Sequence, residues 1–229
     1  ENVIPGKLNG ITLPHSDNLL SGSFTNGGLT GTTALTAFIN ELRDHDAEIS
    51  GNYRFENQTG FEKMFLSHNP AGRDSNTEGY STLGSGYLGN GGWLGQSGER
   101  TAKFTGTLEL IGNNNASSLT VGVEHQLWDS QDNLDGTSIF ENKGKITISG
   151  GKQVIGIMID TEANNPAGLQ KHKNNQTKNT GHIIINNTES IGIDFGSYAD
   201  SAYLPVDVTL GDIEVNGKKN YGFRMKNIK

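Results

Sequence analysis

A short pattern recurs four times between Gly106 and Met225, and few folds can hold it. The copies read GTLELI…LTVGVE from Gly106, GKITIS…VIGIMI from Gly144, GHIIIN…SIGIDF from Gly181 and GDIEVN…NYGFRM from Gly211. Each is a Gly, two alternating apolar positions, a polar turn, then three alternating apolar positions with a Gly between the first two. Alternation with period two is the signature of a strand. The starts fall 38, 37 and 30 residues apart, a spacing typical of stacked supersecondary units. A lone pair of such strands cannot bury its apolar face, whereas stacked equivalent coils place Ile on Ile and give every backbone N–H a partner in the coil above or below.

The pattern therefore predicts an all-β chain of parallel β-helix coils, a solenoid, over residues 106–229. The expected inward set is Leu108, Leu110, Leu119, Val121 and Val123; Ile146, Ile148, Ile155, Ile157 and Ile159; Ile183, Ile185, Ile191, Ile193 and Phe195; and Ile213, Val215, Tyr221, Phe223 and Met225. Gly122, Gly156, Gly192 and Gly222 are expected to point out of the core, at a corner or a close backbone approach. An antiparallel sandwich also uses short alternating strands, but it has no reason to repeat one Gly at one phase four times.

Upstream the repeat fades. Residues 1–50 read as an N-terminal cap, with short apolar pairs such as Ile11/Leu13 and Leu19/Leu20. Leu35, Phe38, Ile39 and Leu42 predict one short helical inset over 34–44, capped by Thr32 or Thr33. Residues 51–105 read as a degenerate coil followed by LGSGYLGNGGWLGQSG, with seven glycines in sixteen residues. Such a stretch makes tight turns at a protrusion or lies close against neighbouring backbone.

Composition fits many corners: 32 Gly and 25 Asn supply turn chemistry. A net charge of −7 gives no footprint for nucleic acid and no attraction to anionic lipid. There is no Cys, so disulfides, thiolate metal sites and cysteine nucleophiles are excluded. No run is long and apolar enough to read as a signal peptide or membrane helix. Four Asn-x-Ser/Thr sequences, at Asn57, Asn115, Asn175 and Asn186, are what so much Asn produces by chance.

Chemical motifs are sparse. Gly84-Ser-Gly86-Tyr-Leu-Gly89 matches the dinucleotide fingerprint in letters, but no helix pattern follows it, so no cofactor is expected. Asp129–Asn142, DSQDNLDGTSIFEN, has the flavour of a calcium loop. With Gly136 at the sharp turn, however, the first ligand position falls on Gln131 and the last on Asn142, and a solvated acidic loop is the plainer reading. The six His lack metal-ligand spacing, and no G-x-S-x-G occurs. Asp160, Asp194 and Arg224 lie in or beside second strands and read as a solvated strand face.

The intervals Glu124–Glu141, Thr161–Thr180 and Gly196–Val208 share one phase of the repeat. They are eighteen, twenty and thirteen residues long. Insertions at one phase of a solenoid emerge on one face, often the binding face. On it the candidate ligand-binding residues are Trp128, His172, Lys173, Tyr198 and Tyr203, aromatic anchors and positive charge in an acidic chain. Tyr87 and Trp93, in the Gly-rich stretch, are the next candidates. No catalytic residue and no metal ligand is assigned.

With these repeats, Asn/Gly/Lys-rich loops and no Cys, the chain resembles the passenger domains of bacterial type V autotransporters. The run NKGKITISGGKQVIGIMID at 142–160 is most similar to the large fusobacterial outer-membrane adhesins. The resemblance spans Gly106–Lys229 and implies a right-handed parallel β-helix, export through an outer-membrane barrel and display on the cell surface. It further implies a non-enzymatic fragment, a monomer, that binds a protein or glycan on host cells or other bacteria. Its alternative is a β-helix carbohydrate-active enzyme acting on acidic polysaccharide.

Overall fold

The computed structural model describes residues 2–3, 12–13, 19–20, 23–25, 47–49, 52–57, 61–68, 86–89, 98–129, 136–163, 174–196 and 205–226. Within them the chain is all β, in twenty strands. Four short ones come first: β1 (Asn2–Val3), β2 (Thr12–Leu13), β3 (Leu19–Leu20) and β4 (Ser23–Thr25). Next come β5 (Ala47–Ile49), β6 (Asn52–Glu56), β7 (Phe61–His68), β8 (Gly86–Gly89), β9 (Gly98–Phe104), β10 (Thr107–Ile111) and β11 (Leu119–Asp129). The remainder are β12 (Gly136–Asn142), β13 (Lys145–Gly150), β14 (Val154–Ala163), β15 (Asn175–Asn179), β16 (His182–Ile185), β17 (Ile191–Gly196), β18 (Val206–Thr209), β19 (Asp212–Val215) and β20 (Tyr221–Lys226).

Apart from an antiparallel β1–β2 pair, the strands form three six-stranded parallel sheets. Sheet I is ordered β19-β16-β13-β10-β6-β4, sheet II β20-β17-β14-β11-β7-β8, and sheet III β18-β15-β12-β9-β5-β3. From β9 onward successive strands visit sheets III, I and II in turn and each pairs with its counterpart in the next coil, so the fold is a parallel β-helix, while β8 departs from this order by pairing with β7 at the far end of sheet II. The helix expected over 34–44 lies outside the described residues.

Register follows the repeats. Leu108 sits on Ile146, Ile146 on Ile183 and Ile183 on Ile213. Leu108, Leu110, Ile146, Ile148, Ile183 and Ile185 are all buried, as expected of the inward face of sheet I. The glycine phase is the first correction. A Cβ on Gly122 would lie 2.7 Å from Leu110 Cδ1 and 2.6 Å from the Gly156 carbonyl oxygen. Gly156 would meet the Gly192 carbonyl at 2.7 Å, and Gly192 the Gly222 carbonyl at 2.6 Å. This column points into the core, not out of it, because stacked backbone and the sheet I side chains occupy the space a side chain would need.

The second correction follows from the first. With the glycine inward, Val121, Ile155 and Ile191 gather with Met158 in a separate buried cluster, against which Leu119 packs. Inward burial in sheet II resumes with Val123, Ile157 and Ile193. In the last coil Val215, Tyr221 and Met225, expected inward, are exposed.

The third correction is the number of strands per coil. Two were expected, but each interval between repeats contains a third, in sheet III. Its inward positions are Ala102 and Phe104, then Ser138, Phe140 and Asn142, then Asn175, Thr177 and Asn179. The polar ones are hydrogen-bonded along the stack, as buried polar groups must be. Asn142 Nδ2 donates to Asn179 Oδ1 at 2.9 Å, and Asn179 Nδ2 to the Leu210 carbonyl at 2.8 Å. On the outward side Lys103, Glu141 and Lys178 share one column, so charge alternates from coil to coil.

Candidate functional site

β11, β14 and β17 run side by side in sheet II, and Asp129 pairs with Ala163 and Asp160 with Gly196. The chain re-enters sheet III at β12, β15 and β18, again in mutual register, with Asn175 opposite Val206. The strand ends that flank residues 130–135, 164–173 and 197–204 are therefore neighbours along one edge of the solenoid. That edge is where the sequence placed a binding face, although strands claim much of each interval.

The candidate residues divide accordingly. Trp128, expected in a loop, lies within β11, where its backbone pairs with Glu162. An alternating run, Val123, His125, Leu127, carries the strand past the repeat and takes Trp128 with it. His172, Lys173, Tyr198 and Tyr203 belong to the edge connections but, like Trp93, lie outside the described residues. Tyr87 lies in β8, paired with Leu66. Leu66 pairs in turn with Glu124, so Tyr87 stands on sheet II at the end opposite β20.

Beside the edge, one outward column of sheet II reads Glu124, Met158, Asp194, Arg224. Its neighbour reads Gln126, Asp160, Gly196, Lys226. The solvated face expected for Asp160 and Asp194 is not what the structure shows, since Glu124, Asp160 and Asp194 are buried. Asp194 is held bidentately by Arg224, with Nε 2.9 Å from Oδ1 and Nη2 2.7 Å from Oδ2. The planar guanidinium matches the carboxylate fork, and the arginine remains about a third exposed (36%). Removing one partner of such a pair takes a counter-charge from a buried carboxylate. Arg224→Met is therefore expected to lower stability by about 2–3 kcal/mol in urea unfolding, less than a fully buried pair because of the exposed guanidinium. Exposed pairs such as Arg54–Glu109, at 3.6 Å, carry much less.

Sequence reading missed a polar network inside the coil. His125 Nδ1 lies 2.7 Å from Thr177 Oγ1 and Nε2 2.9 Å from Ser138 Oγ, all three residues being fully buried. Both ring nitrogens are thus engaged whichever tautomer is present. The Ser–His pairing has the components of nucleophilic catalysis, but both residues are fully buried. Its signal was the spacing of polar residues: S-x-F-x-N at 138–142 and N-x-T-x-N at 175–179 share the 37-residue interval of the neighbouring repeats. The calcium-loop register also fails, because Gly136 opens β12 instead of making a turn. Glu141 Oε1 accepts from Thr180 Oγ1 at 2.9 Å, and Asn142 faces the core. Among the described residues no group of three or more His, Asp or Glu is placed to hold a metal.

No family model matches the chain, and no curated protein or solved structure is detectably similar to it. The geometry of this edge, with the resemblance its repeats carry, is therefore what bears on function.

Proposed function

We propose that the chain is a binding passenger of the autotransporter type, a cell-surface adhesin segment that recognises a protein or glycan on host cells or other bacteria. One observation carries the reading: the strand ends that flank three successive connections lie side by side along a single edge of a parallel β-helix. A scaffold of this kind holds variable segments in fixed relation, so side chains from different coils act together on one ligand. Trp128, His172, Lys173, Tyr198 and Tyr203 are the residues assigned to contact, the aromatics as low-entropy anchors and the cations as partners for acidic or hydroxyl-rich groups. Secretion through an outer-membrane barrel suits a cysteine-free chain that no disulfide would lock during passage.

Replacing residues 164–173 by a short Gly/Asn turn tests the reading. Strands β14 and β15 stay intact, and loop length enters closure entropy only logarithmically, so the melting temperature is expected to move by less than about 2 °C. Attachment of beads coated with the shortened protein to target cells is expected to fall several-fold. Unchanged attachment would remove this connection from the site. A parallel reducing-end assay on acidic polysaccharides covers the enzyme alternative, which turnover without cell attachment would favour.

A further inference from the structure

The large hydrophobic side chains exposed among the described residues are Leu210, Val215, Tyr221 and Met225, and all belong to the last coil, β18–β19–β20. For two of them the partner one coil earlier is covered: Ile185 is fully buried and Ile191 is 7% exposed, against 42% for Val215 and 57% for Tyr221, while Phe195, the partner of Met225, is half-buried. Among the described residues each of the three strands stands at the end of its sheet, so three parallel edges lie together at this end. Such edges pair with added strands.

Gly222 identifies what is added. In the column Gly122, Gly156, Gly192, Gly222, the first three glycines are required because the carbonyl of the next coil would collide with a Cβ. At Gly222 a Cβ would meet only Ile213 Cγ2 and Val215 Cγ2, both at an ordinary 3.6 Å, and the backbone is not in the left-handed region. The chain itself has room for a side chain there, and glycine lowers strand stability. It becomes necessary when a backbone carbonyl stacks on it. Charge adds a second constraint. Asp212 and Glu214 line the sheet I edge of this end and Arg224 and Lys226 the sheet II edge, and Asp194 with Arg224 shows opposite charges pairing from one coil to the next.

We propose that this end face docks a further parallel β-coil. That coil presents a glycine-centred strand over β20, an apolar β-branched residue over Val215, an acidic side chain over Arg224 and a basic one over Asp212. The inference is independent of the binding edge, which lies along the side of the solenoid.

The test extends the chain after Lys226 with a copy of residues 197–204 followed by a copy of residues 174–196. That insert places Gly192 over Gly222, Ile185 over Val215, Asp194 over Arg224 and His182 over Asp212. The extended chain is expected to melt about 5 °C or more above the parent and to lose most of the parent's binding of an apolar fluorescent dye. Gly222→Val is expected to leave the parent's melting temperature within about 2 °C and to abolish the gain in the extended chain, with Gly222→Ala giving the same contrast more mildly. Unchanged dye binding after extension would overturn the proposal, as would equal destabilisation of both chains by the Gly222 variants. A parent that sediments as a dimer, and becomes monomeric with Gly222→Val, would assign the face to a second copy and equally overturn it.

Discussion

Ile193→Asp is expected to unfold the solenoid coils around it. Ile193 is fully buried in β17, stacked between Ile157 and Phe223. The substitution removes a buried aliphatic side chain, worth about 2–5 kcal/mol in a packed core, and puts an unpaired carboxyl where no water reaches. Together these reach about 5 kcal/mol or more, comparable to the whole stability of many domains. Coils in a solenoid are stable only through their neighbours, so the damage spreads to β14 and β20. Far-ultraviolet circular dichroism and limited proteolysis check it, with loss of the strand signal and cleavage between 136 and 226 at room temperature. A folded variant melting within a few degrees of the parent would mean that position 193 is not in the core.

Gly156→Ala is expected to cost about 3 kcal/mol or more, although it adds a single methyl group. The methyl would sit 2.7 Å from the Gly192 carbonyl oxygen, which is backbone in a paired strand and cannot withdraw without breaking the ladder. Gly222→Ala is the control in the same column, with about 0.5 kcal/mol or less expected, because only ordinary side-chain contacts await it. Urea unfolding of the two variants side by side measures the contrast. Equal effects would contradict the inward, carbonyl-capped glycine column.

These two expectations also mark what was legible. The apolar positions of sheet I were readable because Leu108/Leu110, Ile146/Ile148 and Ile183/Ile185 keep one phase from coil to coil. Sheet II was readable as a strand but not in phase. Its glycine looked like an outward gap by simple alternation, whereas close stacking of backbone makes it the inward residue and sends Val121, Ile155 and Ile191 to the other side. Sheet III escaped notice because most of its inward positions in β12 and β15 are polar, Ser138, Asn142, Asn175, Thr177 and Asn179, and a search for apolar periodicity reads Asn and Thr as loop. In a stacked coil, identical amides satisfy one another along the axis, so polarity no longer implies solvent. The common phase of the three connections was legible from repeat spacing alone. Asp194 was read as solvated because it lies between inward positions of its strand, although the 30-residue repeat spacing already places Arg224 over it.

The order and stacking of the coils is the claim on which the rest depends, and a distance across them tests it most directly. Asn52, Thr107, Lys145, His182 and Asp212 form one column on the outward face of sheet I. Asn52 and Asp212 are both exposed, and the chain has no cysteine. Asn52→Cys and Asp212→Cys can therefore be spin-labelled without interference and their separation read by pulsed electron resonance. Four ladder steps of about 4.8 Å predict a backbone separation of about 19 Å, broadened by the label arms. A single narrow distribution centred near that value is the expected result. A distribution centred beyond about 35 Å, or one with several separate maxima, would contradict the stacked parallel coils.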